Sequence, residues 1–426
     1  MLPSSGTSNI SASLDQSAVG ALTVPMSEPA PSQPPSASTN WQGVELQVFA
    51  DLDAIEAEWK EFERKADCTV FQSFGWLSKW QQHIGTLHGA SPAILLGREA
   101  DGHLIFIMQF AIESRGPIRR LTWLGSELCD YNAPLLAPDF SQRFGATRFT
   151  ELWDEIVALL RSRSDFRFDL IDLEKMPETV GAQRNPFLSL TIQPHPSGAY
   201  VATLADDWEK FYAAKRSSST RKRERRELKH LAEHGDVRFV DVQETDDIAR
   251  TLDALMAQKS RAFARMGVEN IFARPGYREF FLDVATDHNV GALTHVSRLD
   301  VGSTSAAVNL GLTFRDSYYL VLSSYHDGDL AKFGPGRAHL HQLMRHAIDR
   351  GFSRFDFTVG DEGYKRDWSD TVLRLYDYLA AETPRGWLFS ALTSSFRRTK
   401  RFIKQNPALW STFSGLRSRL SGLRRH

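Results

Sequence analysis

The feature of this sequence that most constrains its fold is an order of elements that occurs twice. In each half, a hairpin pattern precedes an apolar strand, a polar loop, an amphipathic helix and a strand that begins Arg-Phe-Asp, at Arg167–Asp169 and at Arg354–Asp356. Alternating apolar residues predict strands, whereas a period near 3.6 predicts helices. Internal self-similarity is the signature of a repeated architecture. The chain is therefore predicted to be a duplicated α/β protein, each copy a mixed, mostly antiparallel sheet flanked by helices.

Apolar periodicity and turn residues locate the elements of each copy. The first copy is predicted to contain strands at Val44–Phe49, Leu121–Leu124 and Phe168–Leu173, helices at Leu52–Ala66, Trp76–Ile84 and about 149–160, and a hairpin of Ala93–Arg98 and Leu104–Ile112. The second is predicted to contain helices at Thr245–Arg265, Tyr277–Asp287 and between Gly336 and Gly351, and strands at Ala292–Leu299, Ser305–Phe314, Tyr318–Ser324, from Arg354, and at Val372–Leu379.

Composition divides the chain into four predicted segments. Residues 1–42 are rich in Ser, Pro, Ala and Thr, with Asp15 and Glu28 as the only charges, so they cannot offset their ordering entropy and are predicted to be disordered. Residues 43–200 and 201–383 are the two copies, and residues 384–426 are a basic tail. Because the first copy lacks a Gly-Pro-Gly at its strand-to-helix loop, we expect cofactor chemistry in the second copy and the acceptor side in the first.

Charge and cysteine content exclude several classes of protein. The net charge is −1, so overall charge predicts no polyanionic partner. The 2 cysteines, Cys68 and Cys129, are too few and too distant for a disulfide framework, which indicates a reducing compartment. No secretory signal is apparent, and no apolar run reaches the roughly 20 residues of a membrane-spanning helix. These features predict a cytoplasmic protein, peripheral at most to the inner face of the membrane.

Two segments concentrate positive charge. Residues 213–233 hold eight Lys and Arg against three Glu, a pattern typical of a solvated helix, although anion binding remains open. The tail from Pro384 to His426 contains no Asp or Glu, and its aromatic and aliphatic residues recur at helical intervals. Such a segment suits either an anionic membrane surface or a helix docked on the protein itself.

The stretch from Arg354 to Trp368 is the strongest candidate for chemistry. Phe355 and Phe357 alternate with Arg354 and Asp356 as in a strand, and Gly360 then breaks the pattern. Five ionisable residues follow within six positions: Asp361, Glu362, Tyr364, Lys365 and Arg366. The alternative is a solvated loop after a core strand.

A second candidate precedes the last long helix, at Lys332-Phe333-Gly334-Pro335-Gly336-Arg337. Glycines let backbone approach a ligand closely, and Pro335 suits an early helical position. The start of the helix offers N–H groups and a positive dipole end to a phosphate. Its position between two core strands favours a ligand site over a simple turn, because ligands enter α/β sheets there.

The chain resembles the GNAT acyltransferases, and among them the CelD/BcsL-type acetyltransferases associated with bacterial cellulose biosynthesis, which are tandem GNAT-like proteins distantly similar to the Fem peptidoglycan aminoacyltransferases. The resemblance covers roughly residues 44–380. It rests on Phe71–Leu77, Arg221–Leu231, Phe333–Gly336 and, most specifically, Phe355–Phe357 with Gly360–Trp368. It implies acetyl transfer from acetyl-CoA to an amine or hydroxyl of a sugar or cell-envelope precursor, as in polysaccharide biosynthesis, with no permanently bound cofactor.

The resemblance also implies site residues. Asp361 or Glu362 would take the proton of the attacking group, Tyr364 or Lys365 would supply one to the leaving thiolate, and backbone N–H groups at the end of Tyr318–Ser324 would polarise the carbonyl. The expected cofactor-binding residues are Ser323, Lys332, Gly334, Gly336 and Arg337. The expected acceptor-binding residues are Asp130, Tyr131, Tyr325, Arg366 and Trp368. No metal is expected, since His339, His341 and His346 lack the spacing of a metal-binding pair.

Two alternatives remain open. The GNAT pyrophosphate pattern is matched only by Lys332, Gly334 and Gly336, and Fem-type relatives take their acyl group from charged tRNA, which the basic segment 213–233 would also suit. Under this first alternative, the chain is an aminoacyltransferase that uses charged tRNA as its donor. The other alternative is a catalytically silent scaffold at a polysaccharide synthase, docked through the basic helix and the tail.

Overall fold

The structure is a computed structural model that describes residues 34–287, 290 and 293–405. Most of the predicted disordered segment, residues 1–33, lies outside the described residues. Its last part was predicted wrongly, because Ala37–Trp41 forms a strand that pairs with Val44–Phe49. Residues 406–426 of the basic tail also lie outside the described residues.

The strands and helices agree with most of the predicted elements and add several short ones. The strands are β1 Ala37–Trp41, β2 Val44–Phe49, β3 Ser91–Glu99, β4 Leu104–Arg115, β5 Ile118–Trp123, β6 Leu135–Leu136, β7 Leu170–Pro177, β8 Thr179–Val180, β9 Gln183–Arg184, β10 Ile192–Pro194, β11 Ala199–Thr203, β12 Val237–Asp241, β13 Thr294–Val301, β14 Thr304–Phe314, β15 Ser317–Tyr325, β16 Arg354–Val359, β17 Thr371–Leu373 and β18 Leu375–Ala381. The helices are α1 Glu56–Lys65, α2 Phe74–Trp80, α3 Phe140–Arg143, α4 Ala146–Ser162, α5 Trp208–Lys215, α6 Ser218–Ala232, α7 Thr245–Met266, α8 Tyr277–Thr286, α9 Pro335–Asp349, α10 Gly363–Trp368 and α11 Pro384–Gln405.

Two large mixed sheets organise the molecule, as predicted. The first has the order β1-β2-β3-β4-β5-β7-β18-β10, with β6 beside β4, and the second has the order β12-β13-β14-β15-β16-β11-β17. Their neighbours are antiparallel, except that β5 pairs in parallel with β7 and β15 with β16. Each parallel pair is joined through a helix, α4 in the first copy and α9 in the second, so the same topology occurs twice.

The two copies exchange strands, which the sequence did not reveal. β11 follows the first copy in the chain but pairs with β16 of the second, and β18 follows the second copy but pairs with β7 of the first. The predicted boundary after residue 200 therefore falls inside β11. The single strand predicted at Val372–Leu379 is likewise two strands, because β17 stays in the second sheet and β18 crosses to the first.

The ladder register corrects the predicted repeat. In the second copy Arg354 lies opposite Thr203, the last residue of β11, whereas in the first copy Leu170 lies opposite Ala381, the last residue of β18. The counterpart of Arg354-Phe355-Asp356 is therefore Leu170-Ile171-Asp172. Arg167-Phe168-Asp169 precedes β7, so the duplication is real although the tripeptide match that suggested it is displaced by three positions.

A shared core joins the copies. The ring of Phe71, near the start of the first copy, makes edge contacts with Tyr131 at 5.7 Å and with Tyr319 of β15 at 6.0 Å between centroids. Trp76 packs edge-on against Phe280 of α8 at 4.9 Å. These rings are buried, so the inner face of the second sheet is covered by the first copy. Among the described residues, no helix is long and apolar enough to cross a bilayer.

Candidate active site

The site begins where β15 and β16 separate. The two strands pair only over Ser317–Tyr319 and Arg354–Asp356, although β15 continues to Tyr325 and β16 to Val359. A bulge in the β14–β15 ladder at Leu310–Leu312 bends β15 close to this point. The Thr358 hydroxyl donates across the gap to the Leu320 carbonyl, 3.1 Å away. Beyond that bond the carboxyl ends of the strands diverge and leave a wedge.

Helix α9 starts at the edge of this wedge. Gly334 has φ +67 and ψ 49, a left-handed conformation that favours glycine, and Pro335 is the first residue of the helix. A Cβ atom on Gly336 would lie 3.1 Å from the ring of Tyr325, so a larger residue would crowd the end of β15. The predicted phosphate loop thus has the backbone geometry that its glycines suggested.

A cleft of about 810 Å³ lies between α7, the end of β15, the start of α9 and the loop before α10. That volume is in the range of small-molecule sites. Eight of the predicted site residues line it: Ser323, Tyr325, Gly334, Gly336, Arg337, Glu362, Tyr364 and Trp368. Gln258 and Lys259 of α7 complete the opposite wall.

The other predicted site residues lie elsewhere. Lys332 is exposed and its Nζ lies over the Phe333 ring, 5.0 Å from the centroid, so it does not line the cleft. Asp361 and Arg366 face a second cleft of about 610 Å³, which His195 and Tyr376 also line. The loop before α10 therefore contributes alternate residues to two clefts.

Lys365 lies beneath the first cleft. Its side chain is buried, its Nζ donates to the Val359 carbonyl at 3.0 Å, and it forms an ion pair with Glu362 Oε2 at 3.2 Å. Lys259 faces the same group from α7: burial lowers the pKa of Lys259, the charge of Lys365 lowers it further, and Glu362 partly restores it. Burial raises the pKa of Asp130, and the positive charges of Lys175 and Lys365 oppose that rise. Asp130 thus joins this charged cluster.

Asp356 is the buried acid at the base of the wedge. Its Oδ1 accepts hydrogen bonds from the Tyr131 hydroxyl at 2.6 Å and from the Thr358 N–H at 2.7 Å. Burial raises the pKa of Asp356 to about 7, although both hydrogen bonds oppose that rise. Thr358 has φ +59, a strained conformation for a β-branched residue, and its N–H thereby reaches Asp356. Tyr131, predicted to bind the acceptor, is buried and holds Asp356.

Tyr364 is placed differently from its neighbours. It lines the cleft together with Ser323 at the end of β15. Burial and the charge of Glu362 raise the pKa of Tyr364, so the phenol stays protonated at neutral pH. A protonated hydroxyl at this position can donate a proton or a hydrogen bond into the cleft.

Trp368 is a core residue, although it was predicted to bind the acceptor. Its ring is fully buried, stacks on Phe211 with centroids 5.9 Å apart, and carries the Arg216 guanidinium at 4.3 Å. Arg216 lies 3.7 Å from the buried Glu224 of α6, which also accepts a hydrogen bond from the Tyr212 hydroxyl at 2.6 Å. This network anchors the basic helix beside the cleft.

The outer face of α6 is strongly basic. Lys222, Arg223, Arg225, Arg226 and Lys229 are exposed there. On the inner side Glu227 forms an ion pair with Arg337, which ties α6 to the first turn of α9. A positive surface thus lies next to the cleft.

Three residues of the site were not predicted from the sequence. Alternation places Asp356 on the face of the strand opposite Phe355 and Phe357, and its burial arises because the first copy covers that face. Lys259 shares a helical face with the apolar residues Leu252, Leu255 and Phe263, and a Lys on an apolar face was the available signal. Gln258, whose Oε1 accepts a hydrogen bond from the Ser324 hydroxyl at 2.7 Å, gave no signal in the sequence.

Comparisons with known proteins agree with this geometry. Residues 218–366, from the first residue of α6 into α10, match the family model of the acetyltransferase (GNAT) domain. No curated protein matches the chain.

Solved structures show a similar fold at low sequence identity. FemX matches with a TM-score of 0.51 and 10% identity over 76% of this chain and 93% of its own. A conserved protein of unknown function from Bacteroides thetaiotaomicron matches with a TM-score of 0.46 and 13% identity over 79% and 99% of the two chains. A tandem GNAT protein from the clavulanic acid biosynthesis pathway matches with a TM-score of 0.44 and 10% identity over 80% and 99%.

Proposed function

On the premise that residues 218–366 match a GNAT acetyltransferase domain, we propose that the chain transfers an acyl group, acetyl in the first instance, from acyl-CoA to an amine or hydroxyl. The observation that carries the proposal is the wedge between β15 and β16, which opens directly onto the start of α9. Resemblance to the CelD/BcsL type at Gly360–Trp368 supports a sugar or exopolysaccharide precursor as the acceptor.

The start of α9 suits the pyrophosphate of the donor. Gly334 and Gly336 keep the backbone accessible, the helix dipole favours negative charge, and Arg337 adds a cation to the same side. Lys332 is not part of this set, because it faces solvent. The acyl group then lies deeper in the wedge, near Ser323 and Tyr364.

Glu362 is the proposed general base. Its carboxylate reaches the cleft while its ion pair with Lys365 fixes its position, so it can take the proton that the acceptor loses as its nitrogen or oxygen attacks the thioester carbonyl carbon. The carbonyl oxygen becomes an anion, which backbone N–H groups on the unpaired part of β15 can stabilise. Asp361 is a weaker candidate since it lines the other cleft.

Tyr364 is the proposed general acid. When the tetrahedral intermediate collapses, the carbon–sulfur bond breaks and the thiolate of CoA needs a proton. Because the pKa of Tyr364 is raised, its phenol is protonated, and it lines the cleft beside Ser323. Lys365, the other predicted acid, is buried and engaged with Glu362 and the Val359 carbonyl, so it positions Glu362.

Isothermal titration with acetyl-CoA tests the donor and the site together. Gly336→Leu places a side chain against Tyr325 and into the cleft, so binding is expected to weaken at least about tenfold. Gly145→Leu is the matched control, because a Cβ there meets nothing within 4 Å and lies in the other copy. If the wild-type protein fails to bind acetyl-CoA, the acyl-CoA proposal is wrong.

Aminoacyl transfer from tRNA is the second candidate. It is favoured by the FemX-like fold together with the exposed basic face of α6. Binding of tRNA that falls steeply with salt, without binding of acetyl-CoA, would favour it. A scaffold at a polysaccharide synthase would bind neither.

Helix α11 is proposed as a peripheral membrane contact. One face docks on the first sheet, where Arg397 forms an ion pair with the buried Asp172 at 2.8 Å. The other face exposes Trp387, Leu388, Leu392 and Phe396, each more than half accessible to solvent. Leu388, Leu392 and Phe396 recur every four residues and form one apolar stripe on a segment without acidic residues. An anionic bilayer surface complements both properties.

A further inference from the structure

A second constellation of side chains lies at the far end of α9. It consists of Asp241 at the end of β12, His295 in β13 and His346 in α9, and their ligand-type atoms all lie within 4.8 Å of one another. His346 follows Gly336 by ten residues, so the constellation lies about 15 Å along the helix from the glycine loop. None of its three residues lines the cleft. It is therefore separate from the proposed acyl-transfer site.

The hydrogen-bonding surroundings fix the tautomer of His295. The assignment that satisfies both ends of the Asn309 amide has its nitrogen donating to the Leu322 carbonyl and its oxygen accepting from the Gly311 N–H at 3.1 Å and from the Tyr318 hydroxyl at 2.8 Å. Because the Tyr318 hydroxyl donates its proton to the Asn309 oxygen, the Tyr318 oxygen accepts a hydrogen bond from His295 Nδ1, 2.8 Å away. The proton of a neutral His295 is then on Nδ1, and Nε2 carries a lone pair.

That lone pair points at another acceptor. His295 is 7% exposed, and its Nε2 has no hydrogen-bond partner among the described residues. It lies 3.5 Å from Asp241 Oδ1, a carboxylate oxygen. An imidazole lone pair and a carboxylate oxygen that face each other repel, and a cation between them would remove that repulsion. Asp241 is itself exposed, and its Oδ1 also accepts a hydrogen bond of 2.6 Å from Gln243 Nε2. For zinc at about 2.0–2.1 Å from each ligand, tetrahedral geometry places two ligand atoms about 3.3 Å apart, close to the observed separation.

His346 supplies a third donor beside this pair. Its ring stacks on His295 with centroids 4.3 Å apart and planes 7° from parallel. His346 is half-buried, and one of its ring nitrogens lies within 4.8 Å of the ligand atoms of Asp241 and His295.

We propose that Asp241, His295 and His346 bind a zinc ion, with water in the fourth position. Two imidazoles and a carboxylate form a ligand set that zinc prefers, and the Tyr318–Asn309 pair orients His295 from the second layer. The ion would link β12 and β13, at the edge of the second sheet, to α9, the helix that carries the proposed phosphate site. No sequence spacing predicts it, because the three ligands come from residues 241, 295 and 346.

Zinc titration of the full-length, chelator-treated protein without a polyhistidine tag tests the proposal. We expect one zinc per chain, with binding weakened about 10- to 100-fold in Asp241→Asn and in His346→Gln. His230→Gln is the matched control, because His230 lies on α6 beside Glu233 and away from the site. The affinity of this variant for zinc should equal that of the wild-type protein. Saturating zinc should raise the melting temperature of the wild-type protein and of the control, and raise it less in the two site variants.

Two results would overturn the proposal. The first is a wild-type protein that binds no stoichiometric zinc, which would mean that a proton on His295 Nε2 satisfies Asp241. The second is zinc binding that survives both site substitutions at wild-type affinity, which would place the ion elsewhere. Far-ultraviolet circular dichroism of each variant shows whether it is folded, and replacement of zinc by cobalt reports the tetrahedral geometry of the wild-type site through its visible absorption.

Discussion

Tyr131 in the first copy donates a hydrogen bond of 2.6 Å to Asp356 in β16 of the second, across 225 positions of the chain. Both residues are buried, and Asp356 also fixes the strained turn at Thr358 from which the wedge opens. The first copy therefore supports the candidate active site directly, although it lacks the glycine loop.

Loss of this hydrogen bond is expected to destabilise the protein. Tyr131→Phe leaves the Asp356 carboxyl with one fewer donor in a buried site, which should lower the free energy of unfolding by about 1–3 kcal/mol. Urea denaturation measures the change. Tyr277→Phe is the control: its hydroxyl contacts Glu127, a partly exposed carboxylate, so its loss should be smaller. If both variants lost the same free energy of unfolding, the Tyr131–Asp356 hydrogen bond would contribute no more to stability than a partly exposed one.

Asp356 predicts a dependence of stability on pH. Its pKa rises from the ordinary 3.8 to about 7 in the folded state, so the folded protein holds this proton more tightly than the unfolded chain. The stability that the protonated carboxyl contributes is full below about pH 4 and is lost progressively as pH rises to about 7, by an amount on the order of 4 kcal/mol.

Asp356→Asn isolates that contribution. Unfolding free energies of wild-type protein and variant should diverge between about pH 4 and 7, the wild type losing more stability as pH increases. Other titrating groups cancel in the difference because both proteins contain them. Parallel pH profiles would show that Asp356 ionises normally.

The proposed acid and base make separable predictions for turnover. Glu362→Gln and Tyr364→Phe should each lower kcat about 10²-fold or more, with little effect on acetyl-CoA binding. Release of CoA thiol in the presence of amino-sugar and nucleotide-sugar acceptors measures turnover. Asp361→Asn, on the neighbouring cleft, should change kcat much less. If Asp361→Asn and Glu362→Gln together left turnover unchanged, neither carboxylate would be the base.

The apolar stripe of α11 should determine membrane binding. Leu388→Ser, Leu392→Ser and Phe396→Ser combined should reduce pelleting with anionic liposomes while leaving the Arg397–Asp172 contact intact. The triple substitution is a more specific test than a chain that ends at Thr383. Truncation would also remove Arg397, the ion-pair partner of the buried Asp172. The control combines Leu87→Ser with Val372→Ser, two exposed apolar residues outside α11. Equal pelleting of all three proteins would refute membrane contact.

The elements and the phosphate loop were accessible from the sequence because they depend on local signals. β2 matches its prediction at both ends, and α7, α9, β14 and β15 lie within a few residues of theirs. Glycine and proline at residues 334–336 identified the start of α9, since only certain backbone conformations suit them there. The charged loop after Gly360 was found by its composition, but the division of its side chains between two clefts was not.

By itself, the sequence determined the repeated order of strands and helices, the glycine loop and the basic segments, because periodicity, turn residues and charge are properties of neighbours in the chain. Only the tertiary structure decided which strands were exchanged, that Asp172 rather than Asp169 is the counterpart of Asp356, and that Tyr131 and Lys259 face the wedge. Those relationships depend on which surface covers a residue. That surface comes from residues more than a hundred positions away, and a local pattern carries no information about it.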